Sequence, residues 1–213
     1  MDSVSGVGVL DKGMGILHAL VRGPMDLAQL QEATGLPRAT AHRLAVALEQ
    51  HHLVRRDATG RFCLGFELIR LGRAAADAFP LAELATPALT ALRDLTGESV
   101  QLYVREADTR RCVVSLQSNH PLRWIVPVGA VLPLGLGSAG RVLSDHGSDV
   151  ADSVEEREPG VASVSAAVRD RQGAVVAAVS LRGPVERLTR TPMGRFGDQV
   201  RAAAQSLSAA LTP

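Results

Sequence analysis

Apolar residues recur at helical spacing through the first fifty positions. Ile16, Leu17, Leu20 and Val21 share one face of a segment predicted to run over 11–22, with Asp11 as its cap and Gly23-Pro24 as its end. Asp26 is placed to cap a second helix over 27–34. Gly35-Leu36-Pro37 then makes a tight turn, and a third helix is predicted over 38–51. The period next shortens. Leu53-Val54-Arg55-Arg56, the turn Asp57-Ala58-Thr59-Gly60 and Arg61-Phe62-Cys63-Leu64 read as a hairpin. Helical spacing returns over 66–79 with Leu68, Ile69 and Leu71, and Pro80 closes it.

The second half mixes the two periods. Leu81, Leu84, Ala85, Ala88, Leu89, Leu92 and Leu95 line one face of a helix over 81–95, stopped by Gly97. Strands are predicted over 99–106, 111–117 and 123–128. A Gly-rich turn over 135–140 opens a short helix reaching about 145, and 146–159 reads as a polar, acidic loop. A second hairpin pairs 161–169 with 174–182 around Asp170-Arg171-Gln172-Gly173. Pro192 starts a last helix whose face carries Phe196, Val200, Ala203, Leu207 and Leu211. Hairpins bracketed by helices indicate an α+β fold with an antiparallel sheet. The expected organisation is a winged helix-turn-helix over 1–65, a linker helix over 66–80, and a second domain over 81–213.

Composition narrows the function classes. The 213 residues suit two compact domains, and 46% are hydrophobic, so both can have packed cores. Aromatics make up only 3%, which argues against stacking on single-stranded nucleic acid. Cys63 and Cys112 stand alone, without metal-ligand spacing, and read as small buried hydrophobes; a redox thiol is the open alternative. No cofactor or metal site is expected. The N-terminus lacks the charged and apolar regions of a signal peptide, and no apolar run is long enough to span a bilayer. A cytoplasmic protein without membrane contact is expected.

Net charge is only +1, but its distribution is informative. Between positions 38 and 61 there are five arginines against Glu49 and Asp57, with His42, His51 and His52 alongside. Helix, helix, Gly turn, helix and basic hairpin follow the order of a winged helix-turn-helix, which reads double-stranded DNA. If Ala41, Leu44, Ala45 and Leu48 pack inward, then Ala39, Arg43, Val46 and Gln50 face out, flanked by Thr40 and His42. Arg43 suits a guanine edge, Ala39 and Val46 suit thymine methyls, and Thr40 suits a phosphate. Arg38 sits in the first turn. Arg55, Arg56 and Arg61 belong to the wing, near the backbone or minor groove. A plain helical bundle with a solvated Arg43 is the alternative.

Gly135-Leu136-Gly137-Ser138-Ala139-Gly140 fits the dinucleotide-binding pattern G-x-G-x-x-G, but its short helix is not followed by the required strand. The reading preferred here is an anion site: a carboxylate of a small metabolite docks at Gly137, Ser138 and Ala139. Ala162, Ser163, Ser165, Ala177 and Ser180 form the floor of that pocket or serve simply as small core residues. Ser138 has no catalytic triad context, and His120 and His146 have no partners at fixed spacing, so no enzyme is indicated.

The segment 35–44, Leu53-Val54, Gly60-Arg61-Phe62 and Leu64-Gly65 resembles the recognition region of the IclR family of regulators. Gly140-Arg141-Val142-Leu143, Gly160 to Ser165 and Val175 to Pro184 resemble its ligand domain. Val9-Leu10-Asp11-Lys12, 156–165 and Arg187-Leu188-Thr189-Arg190 are most similar to the actinobacterial NdgR-type subgroup, tied to amino-acid metabolism and notably to leucine biosynthesis. The resemblance implies a homodimer or dimer of dimers, a GAF-like second domain, and control by a small effector, an amino acid or organic acid. Two departures stand out: 144–158 is shorter than in the family, and Leu134-Gly135 replaces a frequent Leu-His. The expected function is therefore a DNA-binding regulator responding to a small metabolite. The alternatives are a ligand-blind regulator with a degenerate pocket, and a small-molecule or dinucleotide enzyme whose N-terminal domain dimerises.

Overall fold

A computed structural model describes residues 5–77, 80–144 and 147–211. The chain divides into two compact units, Met1–Phe79 and Pro80–Pro213.

The first unit contains α1 (Gly8–Leu20), α2 (Leu27–Thr34), α3 (Arg38–Gln50), β1 (Val54–Arg56), β2 (Phe62–Leu64) and α4 (Glu67–Asp77). The first helix begins at Gly8, not at Asp11, because Asp11 sits inside its first turn. Its carboxylate accepts the Ser5 N–H at 3.2 Å. Asp26 caps α2 as its sequence suggests: it accepts the Gln29 N–H, and the Gln29 side chain accepts the Asp26 N–H, both at 2.9 Å. Gly35 ends α2 with φ 69°, in the left-handed region that side chains avoid, and so allows the sharp turn into α3. Ile16, Leu20, Leu30, Ala41, Ala45, Val54 and Phe62 form one core that fixes the three helices against the hairpin. The Met25 and Phe62 backbones exchange hydrogen bonds of 2.9 and 2.8 Å, tying that hairpin to the chain entering α2. Of the helix predicted over 66–79, positions 78 and 79 lie outside the described residues.

The second unit contains α5 (Leu81–Thr96), β3 (Ser99–Glu106), β4 (Thr109–Leu116), β5 (Val131–Pro133), α6 (Ser138–Leu143), β6 (Val150–Val154), β7 (Val161–Arg169), β8 (Val175–Pro184), α7 (Val185–Leu188) and α8 (Pro192–Ala210). Its six strands pair antiparallel in the order β5-β4-β3-β8-β7-β6. Two expectations are corrected. The 123–128 segment is not a strand; it crosses the sheet as a connection that buries Val126, and the pairing segment is β5. The stretch 146–159 is not all loop. Burial, not polarity, alternates along Val150–Val154, with Ala151 and Ser153 turned inward, and the segment pairs with β7 to add β6 to the sheet edge. Asp145, where the short helix was expected to end, and His146 lie outside the described residues.

The sheet has two unlike faces. On one, Val100, Leu102, Val164, Ala166, Val168, Ala177, Val179 and Leu181 pack against α5 and α8. On the other, Tyr103, Cys112 and Ala178 pack with α6 and the connection carrying Val126. A bulge decides what β4 contributes to each. Leu102 pairs with Val114 but Tyr103 with Cys112, so Val113 is skipped. Val114 thus lies on the helix-covered face, while Cys112 and Arg110 are turned to the other. Just before β3, the carboxylate of Glu98 is 2% exposed and takes both arms of Arg187 from α7, one of them at 2.9 Å. The same guanidinium donates to the Leu122 carbonyl at 2.9 Å.

Candidate nucleic-acid interface and effector site

In α3 the inward residues are those the helical period selects. Ala41 and Ala45 are fully buried, and Leu44 and Leu48 pack partly against the same core. Arg38, Ala39, His42, Arg43 and Gln50 are consequently exposed, with Thr40 and Val46 half-buried on the flanks. Among the described residues, Arg38 and Arg43 have no carboxylate partner, which leaves both guanidinium forks free for an external acceptor. Pro37 precedes α3 without a side-chain cap, so the amides of its first turn remain open to an anion.

The wing is more self-contained than its charge suggests. Arg61 binds Asp57 at 2.9 Å and donates to the Thr59 hydroxyl at 3.0 Å. The hydrogen bond from that hydroxyl, foremost, holds the Asp57 carboxyl down at about 2, and the backbone N–H groups of Arg61 and Thr59 add to it. Arg56 pairs with Glu49 at 3.3 Å and lies over the Phe62 ring at 4.2 Å. Arg55 is exposed and lies over Phe66 at 4.9 Å. Because Arg61 must leave Asp57 to meet a phosphate, Arg61→Ala should weaken DNA binding less than tenfold and equally on all sequences. Its log–log salt slope should fall by no more than about 0.9, the value for one phosphate contact. An anisotropy titration at four salt concentrations reads both, and a base-specific loss would place Arg61 in a groove instead.

In the second unit, a cavity of about 20 Å³ opens on the sheet face away from α5 and α8. Gly137, Ser138, Ala139, Ser163 and Ser180, all expected at the effector site, line it. Ser165 lies one layer behind. Its hydroxyl meets those of Ser138 at 2.7 Å and Ser180 at 2.9 Å, and Ser138 also meets Ser163 at 2.7 Å. Ala177 is not a floor residue: strand alternation puts it in the core under α5 and α8. Ala162 is buried and, for the same reason, out of phase with Ser163 and Ser165. The Gly137 N–H, expected to be open to a carboxylate, already donates to Glu156 at 2.9 Å, and Glu156 is itself held by Arg141.

The charge in this cavity comes from residues that the spacing arguments did not single out: Arg110, Arg157 and Arg182, with Tyr103 and Glu158. Arg110 and Arg182 are 2% and 6% exposed. Arg110 lies over Tyr103 and Arg182 over Trp124, both at 5.5 Å, and Arg110 donates to the Pro133 carbonyl. Burial, reinforced by the other two arginines, pushes Arg110 down to about 10, and burial also lowers Arg182. Burial pushes the Tyr103 hydroxyl up to about 12, so it stays neutral and able to donate. One signal was readable: Arg182 shares the phase of Ala178 and Ser180 in an otherwise small and apolar strand. Arg110 gave none, because the bulge reverses its face. Cys112 is fully buried and burial pushes its thiol up to about 12, which withholds the thiolate that a redox sensor requires. Cys63 is buried in β2. His120 is exposed beside Gly97.

The G-x-G-x-x-G segment does not form a dinucleotide site. The strand before it, β5, has three residues and pairs antiparallel at the sheet edge, whereas that motif needs a parallel βαβ unit.

Comparison with known proteins agrees with this geometry. Residues 9–58 match the IclR helix-turn-helix domain, and residues 73–151 and 147–209 match the bacterial transcriptional regulator IclR C-terminal domain. The glycerol operon regulatory protein of Streptomyces coelicolor is 30% identical over 85% of this chain and 86% of its own. The transcriptional repressor IclR of Escherichia coli is 24% identical over 94% of this chain and 89% of its own. In fold, the chain is similar to an IclR homologue of Microbacterium hydrocarbonoxydans solved with 4-hydroxybenzoate. That similarity has TM-score 0.81 and 18% identity, over 95% of this chain and 98% of the other. These relatives are transcription regulators, not enzymes. With its helix-turn-helix unit and its antiparallel-sheet unit both matched, the chain belongs to the IclR family of DNA-binding transcription regulators.

Proposed function

We propose that this regulator, acting in the cytoplasm as a homodimer or dimer of dimers, reads double-stranded operator DNA with α3 and is controlled by a small organic acid or amino acid held in the second unit. The single observation that carries the first half is the outward face of α3, where Arg38 and Arg43 stand exposed with no carboxylate among the described residues to neutralise them. Arg43 donates to a guanine edge; Ala39 and Val46 meet thymine methyls; Arg38, Thr40 and His42 hold the first turn and flank; Arg55 and Arg61 guide the wing. Effector binding at Gly137, Ser138, Ala139, Ser163 and Ser180, backed by Ser165, shifts the dimer between arrangements with different half-site spacing. The likeness to the NdgR-type subgroup adds genes of amino-acid metabolism as the target.

Fluorescence anisotropy of the full chain on its own upstream DNA, across a salt series, tests the reading. Tight binding that falls steeply with salt is expected. Arg43→Ala should lose about 1–3 kcal/mol, roughly 5- to 150-fold, and relax the preference at one base pair. Unchanged affinity in that variant would remove α3 as the reading helix.

A further inference from the structure

The cavity holds an imbalance of charge. Arg110, Arg157 and Arg182 converge on it against one lining carboxylate, Glu158, with Tyr103 kept neutral. Buried arginines normally meet carboxylates, because an uncompensated cation out of water is costly. Among the described residues lining this cavity, the one ion pair is Arg157 with Glu158, at 3.5 Å and partly exposed. Among the described residues, no carboxylate lies within ion-pair distance of Arg110 or Arg182. Both also keep a buried Nε–H without an acceptor, as does one terminal nitrogen of Arg157. A guanidinium does not discard its proton to escape this. The protein therefore carries two unmatched positive charges and unused donors at one point, lined by the hydroxyls of Ser138, Ser163 and Ser180.

Resting on the reading of this cavity as the effector site, we infer that its ligand is a small dianion, a phosphate monoester or a dicarboxylate, rather than a zwitterionic amino acid or a monoacid. Three guanidinium forks suit several closely spaced oxyanion oxygens. An ammonium group would meet three cations and only Glu158. A single carboxylate would leave one positive charge still buried and unmatched. The present volume, about 20 Å³, admits a water and little more, so the ligand enters by displacing the partly exposed Arg157–Glu158 pair at the rim. On this reading the controlling metabolite is a doubly charged anion, whether one phosphoryl group or two carboxylates, rather than a finished amino acid.

Isothermal titration of the full-length protein at fixed ionic strength, with inorganic phosphate, succinate, acetate and leucine as probes, tests this. Phosphate or succinate should bind at least tenfold more tightly than acetate or leucine. Binding of phosphate alone identifies a phosphoryl ligand, and binding of succinate alone a dicarboxylate; either supports the inference. Arg182→Gln and the rim variant Arg157→Gln should each weaken the dianion at least tenfold while operator binding without ligand persists, which also shows that the variants fold. Leucine or acetate binding as tightly as the dianions, with loss in the same variants, would overturn the dianion and leave the effector site standing. Dianion binding untouched by both variants would overturn the assignment to this cavity. Operator binding without uptake of any probe overturns the dianion and counts against the effector reading with it.

Discussion

Gly140→Ala is expected to destabilise the second unit by about 3 kcal/mol and to abolish any response to a ligand, while leaving α3 able to bind DNA. A methyl group at position 140 would lie 1.9 Å from the Leu134 carbonyl oxygen and 2.6 Å from a terminal nitrogen of Arg110. The arginine could move, but the carbonyl is backbone and follows directly after β5. Either α6 is driven off the sheet or the end of β5 is: α6 carries Ser138 and Ala139, which line the cavity, and the end of β5 holds the lining Arg110 through the Pro133 carbonyl. Calorimetric unfolding of the full chain measures the loss. Gly194→Ala is the control: it sits in α8 with nothing within 4 Å of the added methyl, and should be neutral or stabilise by about 0.5–1 kcal/mol. Equal unfolding of both variants would mean that the Leu134 backbone yields freely.

The second large effect concerns Glu98. Arg187→Ala should cost about 3–5 kcal/mol, because it strands a carboxylate that is 2% exposed. The loss should exceed that of an ordinary surface ion pair such as Arg201 with Asp198 several-fold, since there both partners remain in water. Arg187 also ties Leu122 to the start of β3, so the connection over the cavity face loosens with it. The double variant Arg187→Ala with Glu98→Gln should recover part of the stability by removing the stranded charge. Urea denaturation of wild type and both variants distinguishes the cases, and no recovery in the double variant would assign the cost to packing rather than to charge.

The DNA-reading unit was legible because its signals are local. Asp26 and Gln29 form a capping box, Gly35 marks a left-handed turn, and the spacing of Ala41, Leu44, Ala45 and Leu48 alone decides that Arg43 faces out. The hairpin 161–169 with 174–182 was legible for the same reason, since two strands joined by a tight turn pair with each other. The effector site was legible only in part. Its serines and its Gly-rich turn stand out as small residues in unusual places. Its arginines do not, because their convergence depends on pairings between β3, β4 and β8 that lie far apart along the chain. Strands β5 and β6 were missed because three and five residues carry too little periodicity to register, and each forms only by adding to an existing sheet edge. For Ala162 and Ala177 the sequence left floor and core both open, because smallness does not reveal which side of a strand a residue occupies; the structure buries both in the core.

The skipped residue in β4 constrains how this protein can diverge. Elsewhere in the sheet, substitution changes one side chain at a time. At Val113 the chain is one residue longer than its partner needs, and that surplus sets the phase of everything from Thr109 to Cys112. Straightening the strand with Val113 retained would set Val113 opposite Tyr103 and Cys112 opposite Val104, and would send Arg110 among the leucines under α5. Deleting Val113 would instead set Val114 and Cys112 opposite Leu102 and Tyr103 with no residue between them, and would leave Arg110 on the cavity face. A one-residue gap at Val113 is therefore the length change β4 can absorb, whereas a gap between Thr109 and Cys112 would displace the arginine. Register, rather than length, is what this strand has to inherit.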